Sequence, residues 1–567
     1  MWIDLPPFVL FFVGALAVGL TRGNVRRVIV LAVPVLGGLN LIGAEAGVHL
    51  EISLIGYTLA PFRVDKLSLL FGYLFHLATF LGFIYALHLE DEDRAGLQHV
   101  SAMLYAGSAL GAVFAGDLLT LFVFWELLAL TSVFLIWARD SEGSYASGFR
   151  YLVIHVLSGV LLLAGALVLA HETGSLGFEH IGTEGSIGGW MLLLAFGIKA
   201  GFPLVHNWIT DAYPESTPTG TVFLSAFTTK VAIYALARGF AGTEILIYVG
   251  TVMTFFPIFY AVLENDLRRV LGYSMINQLG FMVTGVGLGT ALAVNGAVAH
   301  AFADVIFKGL LFMSMGAVMT MTGRTKGTDL GGLYKTMPIT ATLCIVGAAA
   351  ISAFPLFSAF VTKSMIMVAA LEEGHFIVWL FLLFASAGVL EHAGIKIPYF
   401  AFFAHDSGLR AKEPPKNMLV AMGIGAALCV AIGSFPGALY ALLPFETGYS
   451  AYDATHVLTQ LQLLLFGALG FVMLVKTGVY PSEQRAVHID AEWLYRTAGP
   501  WLVRTVGGAV GRADAYVRSS VLELVSAALG TADRMHGPVG PLGRNWPTGS
   551  MVLWVAVLLA AYLIFYL

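Results

Sequence analysis

The sequence predicts an all-α integral membrane protein with about 14–16 transmembrane helices, on three observations. Of its 567 residues, 58% are hydrophobic and only 11% charged, where an ordinary soluble domain has roughly 25% charged. The apolar residues lie in long continuous runs, the length a helix needs to cross a bilayer, whereas barrel strands would alternate in short segments. The basic residues of the connections also alternate in number from one loop to the next, as cytoplasmic and external loops do.

Taken in order, the apolar runs cover 5–21, 25–44, 66–88, 98–115, 117–138, 147–170, 187–210, 219–239, 243–263, 268–290, 293–320, 338–371, 377–404, 417–442, 456–476 and 549–567. The first follows Met1-Trp2-Ile3-Asp4, which has no basic n-region or cleavage signature, so it is expected to be a retained span. With the N-terminus outside, Arg22, Arg26, Arg27, Arg94, Arg139, Arg150, Arg268, Arg269, Arg324, Lys326, Lys335, Arg410, Lys412 and Lys416 all face the cytoplasm. The alternate loops hold Arg63, Lys66 and Arg238. Between the second and third runs, residues 48–64 alternate polar and apolar side chains about a Gly-Tyr turn, which predicts an external hairpin. Residues 489–535 intersperse Arg496, Arg504, Arg512 and Arg518 with Trp493, Trp501, Leu502, Val506, Val510 and Val521, which predicts an interfacial amphipathic segment. Pro500, Gly507, Gly508 and Gly530 should interrupt it if it is helical.

Composition excludes several functions. Net charge is −5 without a basic run, so nucleic acid is not expected as a partner. Cys344 and Cys429 stand alone in apolar runs, so no iron–sulfur cluster, zinc site or disulfide is expected, and any redox centre belongs to another chain. No cofactor or metal is expected.

The informative residues are the charges inside the runs, because a Lys, Asp or Glu at a span centre costs about 2.5 to 3.5 kcal/mol on insertion scales. Glu126 lies in DLLTLFVFWELLALTSVFLIW, and Lys199 precedes Pro203 and His206 in MLLLAFGIKAGFPLVHNW. Pro203 should break its helix, which is tolerated only beside protein or a hydrated cavity. Lys230 is too deep in its run to reach an interface easily. His300, Asp304 and Lys308 fall at i, i+4 and i+8 on one helical face. Glu391, His392 and Lys396 close the set, with Pro398 just after the lysine. A lysine next to a helix-breaking proline thus occurs in both halves of the chain, the arrangement inverted-repeat transporters show at their binding sites. Burial lowers a lysine's hold on its proton and a carboxylate restores it, so movement between such groups loads and releases protons. A membrane scaffold has no reason to retain Lys199, Lys230, Lys308 and Lys396 at that insertion cost.

These segments resemble the antiporter-like subunits shared by Mrp-type cation/proton antiporters, the membrane arm of respiratory complex I and membrane-bound hydrogenases. The resemblance covers roughly 60–480 and rests on FVFWELLAL, KAGFPLVHNWITDAYPESTPTGTVFLSAFTTK, ENDLRRVLGYSMINQLGFM, HAFADVIFKGLLF and AFPLFSAFVTK. It implies two inverted-topology five-helix bundles with broken helices, at 98–240 and 243–442, each holding a half-channel. It also implies an ion pair of Glu126 with Lys199, a connecting Lys230, and Lys396 as terminal lysine of the second half-channel. Asp304 stands where the family usually has a second histidine, and Ile209-Thr210 replace Leu-Pro. The first departure shifts more of the central relay onto His300 and Lys308. The implied protein is a proton-translocating subunit of a multisubunit Na+/H+ antiporter in the bacterial cytoplasmic membrane, working only with partner subunits. The alternative is a proton-pumping subunit of an NADH:quinone oxidoreductase-like complex, with the redox chemistry in other chains.

Overall fold

A computed structural model describes residues 5–54, 56–89, 94–479 and 489–567; Met1–Asp4 lie outside them. The chain divides into two compact units, Met1–His488 and Ile489–Leu567.

The first unit opens with α1 (Pro7–Leu20) and α2 (Gly23–Leu41), followed by the antiparallel hairpin β1 (Gly47–Leu54) and β2 (Tyr57–Val64). Then come α3 (Lys66–Ala86), α4 (Ala95–Phe114), α5 (Leu118–Trp137) and α6 (Glu142–Thr173). The starts of these helices are written locally. Asp65 and Ser68 cap α3 reciprocally, each side chain taking up the other's amide at 2.8 Å. Asp117 accepts from the Thr120 amide at 2.7 Å to start α5. Such caps satisfy amides that have no partner within the helix.

Two shorter pairs follow: α7 (Ile187–Ala200) with α8 (Asn207–Glu215), and α9 (Pro218–Ala226) with α10 (Thr228–Gly239). Beyond them run α11 (Ile245–Leu263), α12 (Leu267–Leu288) and the 32-residue α13 (Ala291–Thr322). α13 is buried along nearly its whole length, with α9, α12, α14 (Pro338–Ile351), α15 (Ser358–Glu372) and α18 (Lys416–Ser434) packed around it. α16 (Phe376–Val389) continues through π-helical turns on either side of α17 (Lys396–Pro398). The short α19 (Gly437–Tyr440) and the long α20 (Ala454–Lys476) complete the unit.

Eleven helices among the described residues are long and apolar enough to cross a membrane, five fewer than the sixteen apolar runs. Three runs fall short by length, because α1 has 14 residues and the runs 187–210 and 338–371 are each broken in two. The other two, α4 and α12, are long enough but carry polar groups, among them Gln98 and His99, and Arg268, Asn277 and Gln278.

The two breaks have one conformation. In Gly201-Phe-Pro-Leu204 the first and fourth residues have φ of 78° and 72°, and in Ala353-Phe-Pro-Leu356 they have 57° and 73°. In both, the Phe amide reaches back five residues, Phe202 to Gly197 at 2.9 Å and Phe354 to Ala349 at 3.1 Å. The helix-breaking counterpart of Pro203 is therefore Pro355. Pro398 breaks nothing: the π turns beside it shift the hydrogen-bond register, which accommodates its missing donor.

Loop contacts fall into two sets. The hairpin bonds to the Gly116 amide through Ala60, Gly116 to the Phe178 amide, and Arg238 to Asp65 at 2.6 Å. On the other set, Arg150 bonds Asp211, Arg268 bonds Pro214, and Leu267 bonds Thr325. The two sets are the same two groups of loops into which the arginine and lysine distribution divides the sequence.

The second unit contains a π-helical turn at Leu494–Ala498, α21 (Gly499–His536) and α22 (Thr548–Tyr566). α21 runs 38 residues without interruption, about 57 Å at 1.5 Å per residue. Pro500 sits in its first turn, where no donor is needed, and the glycines lower helix propensity by about 1 kcal/mol each without breaking it.

Candidate proton path

Lys199 occupies the last turn of α7, immediately before the Gly201 break, and is completely buried. Its ammonium donates to the Trp125 carbonyl and lies 4.5 Å from the centroid of the Trp125 indole. The indole in turn donates to Ser158 Oγ at 2.9 Å, fixing α5 against α6. Glu126, next along α5, is half-buried, and its Oε1 has no hydrogen-bond partner. Its side chain lies directly on Gly159 of α6, where any Cβ would collide with the carboxylate. Glu126 and Lys199 thus share one cell and act on each other's charge. The lysine's hydrogen bond goes to a backbone carbonyl instead of the carboxylate. His206, just past the break, packs against Phe256 at 4.8 Å between ring centroids.

Lys230 begins the next cluster. The α9–α10 interruption at Phe227 frees the Ser225 carbonyl, which accepts from Lys230 Nζ at 3.1 Å. The same ammonium lies 2.5 Å from Asp304 Oδ2 on α13, and both side chains have 0% exposure. Asp304, the residue at which this chain departs from its resemblance, therefore supplies the carboxylate of a buried ion pair. Its charge also acts on Lys308 and Lys363. One carboxylate is shared among three buried lysines.

His300, one turn before Asp304, bridges Thr362 Oγ1 and Gln278 Oε1, each at 3.0 Å. Gln278 continues to Asn277 at 2.7 Å and Asn277 to the Thr254 carbonyl at 2.5 Å. Lys308 makes a long 3.5 Å contact with the Leu271 carbonyl. Lys363 on α15 is buried, its Nζ has no hydrogen-bond partner, and it lies 4.6 Å from the Phe281 ring centroid. Lys363 is absent from the candidates chosen on the sequence, although it closes AFPLFSAFVTK. The signal that could have found it is the one used for the others, a charge inside an apolar run.

Lys396 is held differently. Its ammonium donates to the carbonyls of Ala261, Val262 and Glu264 at 3.1, 2.6 and 2.7 Å, the negative end of α11. His392 is buried, and Glu391 is half-buried beside it. The structure thus arranges Glu126 and Lys199, then Lys230, Asp304, His300, Lys308 and Lys363, then Glu391, His392 and Lys396 on successive helices of one unit.

Comparison with known proteins agrees with this architecture. Residues 115–388 match the family model described as NADH:quinone oxidoreductase/Mrp antiporter, TM. The chain is 30% identical over 424 residues to one of the Na(+)/H(+) antiporter subunits of Alkalihalophilus pseudofirmus, covering 66% of this chain and 52% of that protein. It spans about half the length of the curated relatives it first matches. Among solved structures, one chain of the Mrp complex from Dietzia sp. DQ12-45-1b superposes with a TM-score of 0.69 at 22% identity, over 82% of this chain and all of that one. One chain of the membrane-bound sulfane sulfur reductase, an archaeal respiratory membrane complex, gives 0.71 at 21% identity, over 99% and 100%. With its bacterial relatives, it is a multi-pass protein of the inner membrane. Residues 115–388 belong to the family of membrane subunits shared by Mrp antiporters and NADH:quinone oxidoreductases.

Proposed function

We propose that this chain is the proton-translocating subunit of a multisubunit Na+/H+ antiporter and works with partner subunits in the bacterial inner membrane. The observation that carries the reading is the shared carboxylate of Asp304, paired with Lys230 and acting on Lys308 and Lys363. A buried lysine keeps its proton only while a carboxylate is near, so one carboxylate among three lysines couples their protonation states. A shift of Asp304 from Lys230 toward Lys308 releases a proton from the first and lets the second take one up.

In this scheme Glu126 controls Lys199 at one end. Lys230, Asp304, His300 and Lys308 form the central relay, and Lys363, Glu391, His392 and Lys396 carry the proton in the second half, with His206 accessory to Lys199. The two Phe-Pro-Leu breaks support two inverted-topology bundles, 98–240 and 243–442, with one broken helix each. The curated relatives named as Na(+)/H(+) antiporter subunits support sodium as the exchanged cation.

Cation-induced collapse of a pH gradient, measured in everted vesicles carrying the whole assembly, tests the reading. Sodium should collapse the gradient with wild-type chain and fail to do so with Glu126→Ala or Lys199→Ala. Full activity in both variants would remove the pair from the mechanism. A second reading, a proton pump driven by electron transfer in partner chains, is favoured by the match to the sulfane sulfur reductase chain over nearly all of this chain. No cation response from an assembled wild-type complex would select it.

A further inference from the structure

Near the Glu126/Lys199 cell lies a buried group that no step above uses. His155 on α6 is completely buried, and among the described residues neither ring nitrogen has a hydrogen-bond partner. Leaving a buried imidazole unpaired is costly, so an unpaired one in a polar region calls for a role. The ring is wedged between Tyr151 at 4.1 Å and Trp208 at 4.4 Å between centroids. Lys199 acts on it electrostatically.

A run of hydroxyls starts from Tyr151. Tyr151, one turn before His155, bonds Ser132 Oγ at 2.7 Å and interacts with the hydroxyls of Tyr105 and Thr228. The Tyr105 hydroxyl lies 2.5 Å from Thr228 Oγ1 and accepts from the Thr228 amide at 3.0 Å. Thr228 opens α10, two residues before Lys230. All these side chains are buried.

We propose that His155 and the Tyr151, Tyr105 and Thr228 hydroxyls form the proton link between Lys199 and Lys230. The inference rests on the transport reading and names the internal route it requires. His155 takes a proton released by the Lys199 ammonium, becoming imidazolium while Lys199 becomes neutral. Rotation about the Cβ–Cγ bond turns the proton toward Tyr151. Each hydroxyl then accepts one proton on its oxygen and passes its own onward, so no tyrosinate forms and the charge leaving His155 arrives at Lys230. Hydroxyls suit this role because each is donor and acceptor at once.

The test uses the whole assembly in everted vesicles, with His155→Phe, Thr228→Val and the Tyr105→Phe/Tyr151→Phe double variant. The tyrosine replacements keep the ring and remove only the hydroxyl, while His155→Phe exchanges the imidazole for a larger aromatic ring that cannot titrate, so its assembly level reports whether that ring fits. Each variant should assemble at wild-type level and keep its half-saturating sodium concentration, lose at least tenfold in initial proton flux, and show a larger solvent deuterium isotope effect on what remains. Glu126→Gln is measured in parallel. Wild-type flux in His155→Phe or the double tyrosine variant, with Glu126→Gln inactive, overturns the link and leaves the transport reading standing. Flux that falls only in proportion to lost assembly, with an unchanged isotope effect, also overturns it. Full flux in Glu126→Gln and His155→Phe alike removes the Glu126/Lys199 pair from the path and overturns the link, whereas no sodium-driven flux from the assembled wild type overturns the transport reading.

Discussion

Gly159 shows how closely a small residue can control a charge. It leaves room for the Glu126 carboxylate where a side chain would collide with it. Gly159→Ala should therefore displace Glu126 and lower proton flux about tenfold, with assembly intact, in the vesicle assay. The helix itself tolerates alanine better than glycine by about 1 kcal/mol, so loss of folding in this variant would contradict the packing. The Lys230–Asp304 pair makes a different demand. Removing one partner of a buried ion pair leaves an uncompensated charge and costs about 3 to 5 kcal/mol, whereas removing both costs much less. Lys230→Met and Asp304→Asn should each lower the thermal midpoint of the purified complex, and the double variant should recover most of the loss while remaining inactive. A double variant as unstable as either single one would show that the two charges do not compensate each other.

Among the elements, the broken helices and the hairpin carry the most specific demands. Leu204 and Leu356 occupy the left-handed region with φ of 72° and 73°, where a non-glycine residue costs roughly 1 kcal/mol or more and a β-branched one costs further. Leu356→Gly should be tolerated in thermal unfolding, and Leu356→Val should lower the midpoint by several degrees; the reverse order would mean that the break does not need this conformation. The hairpin is tied to the start of α3 through Asp65. Burial pushes that carboxyl up, but Arg238 at 2.6 Å, the Ser68 amide and Arg63 outweigh it and hold the group below its ordinary value. A depressed folded value means the contribution to stability is fully present above about pH 4 and is lost as the pH falls further. Asp65→Asn should thus destabilise the protein at neutral pH, and the difference from wild type should shrink on acidification below that range. A difference that persists unchanged at low pH would assign the effect to something other than this charge.

For the whole molecule, Met1–His488 and Ile489–Leu567 are separate compact units, and all the buried candidates lie in the first. A chain ending at residue 488 should keep its helical circular dichroism and thermal transition in detergent, even if association with partner subunits is lost. Collapse of the transition would show that the first unit depends on the second.

The sequence by itself determined the class, most of the helices and most of the charges. Bilayer energetics is local, in that a run of about 20 apolar residues and a charge within it are both visible without a fold. Glu126, Lys199, Lys230, Asp304 and Lys396 stand out for that reason. Only the tertiary structure decided which of them meet. Asp304 and Lys230 are 74 positions apart, and no spacing rule pairs α10 with α13. The counterpart of the Pro203 break lies at Pro355 because φ of the flanking residues, which composition does not encode, distinguishes it from Pro398. Lys363, a charge inside the run 338–371, is visible by the same rule, whereas His155 is not, because a neutral histidine does not break the pattern of its span. Their significance comes from lacking a hydrogen-bond partner once neighbouring helices have closed around them, a property that belongs to the packed fold and to no stretch of sequence.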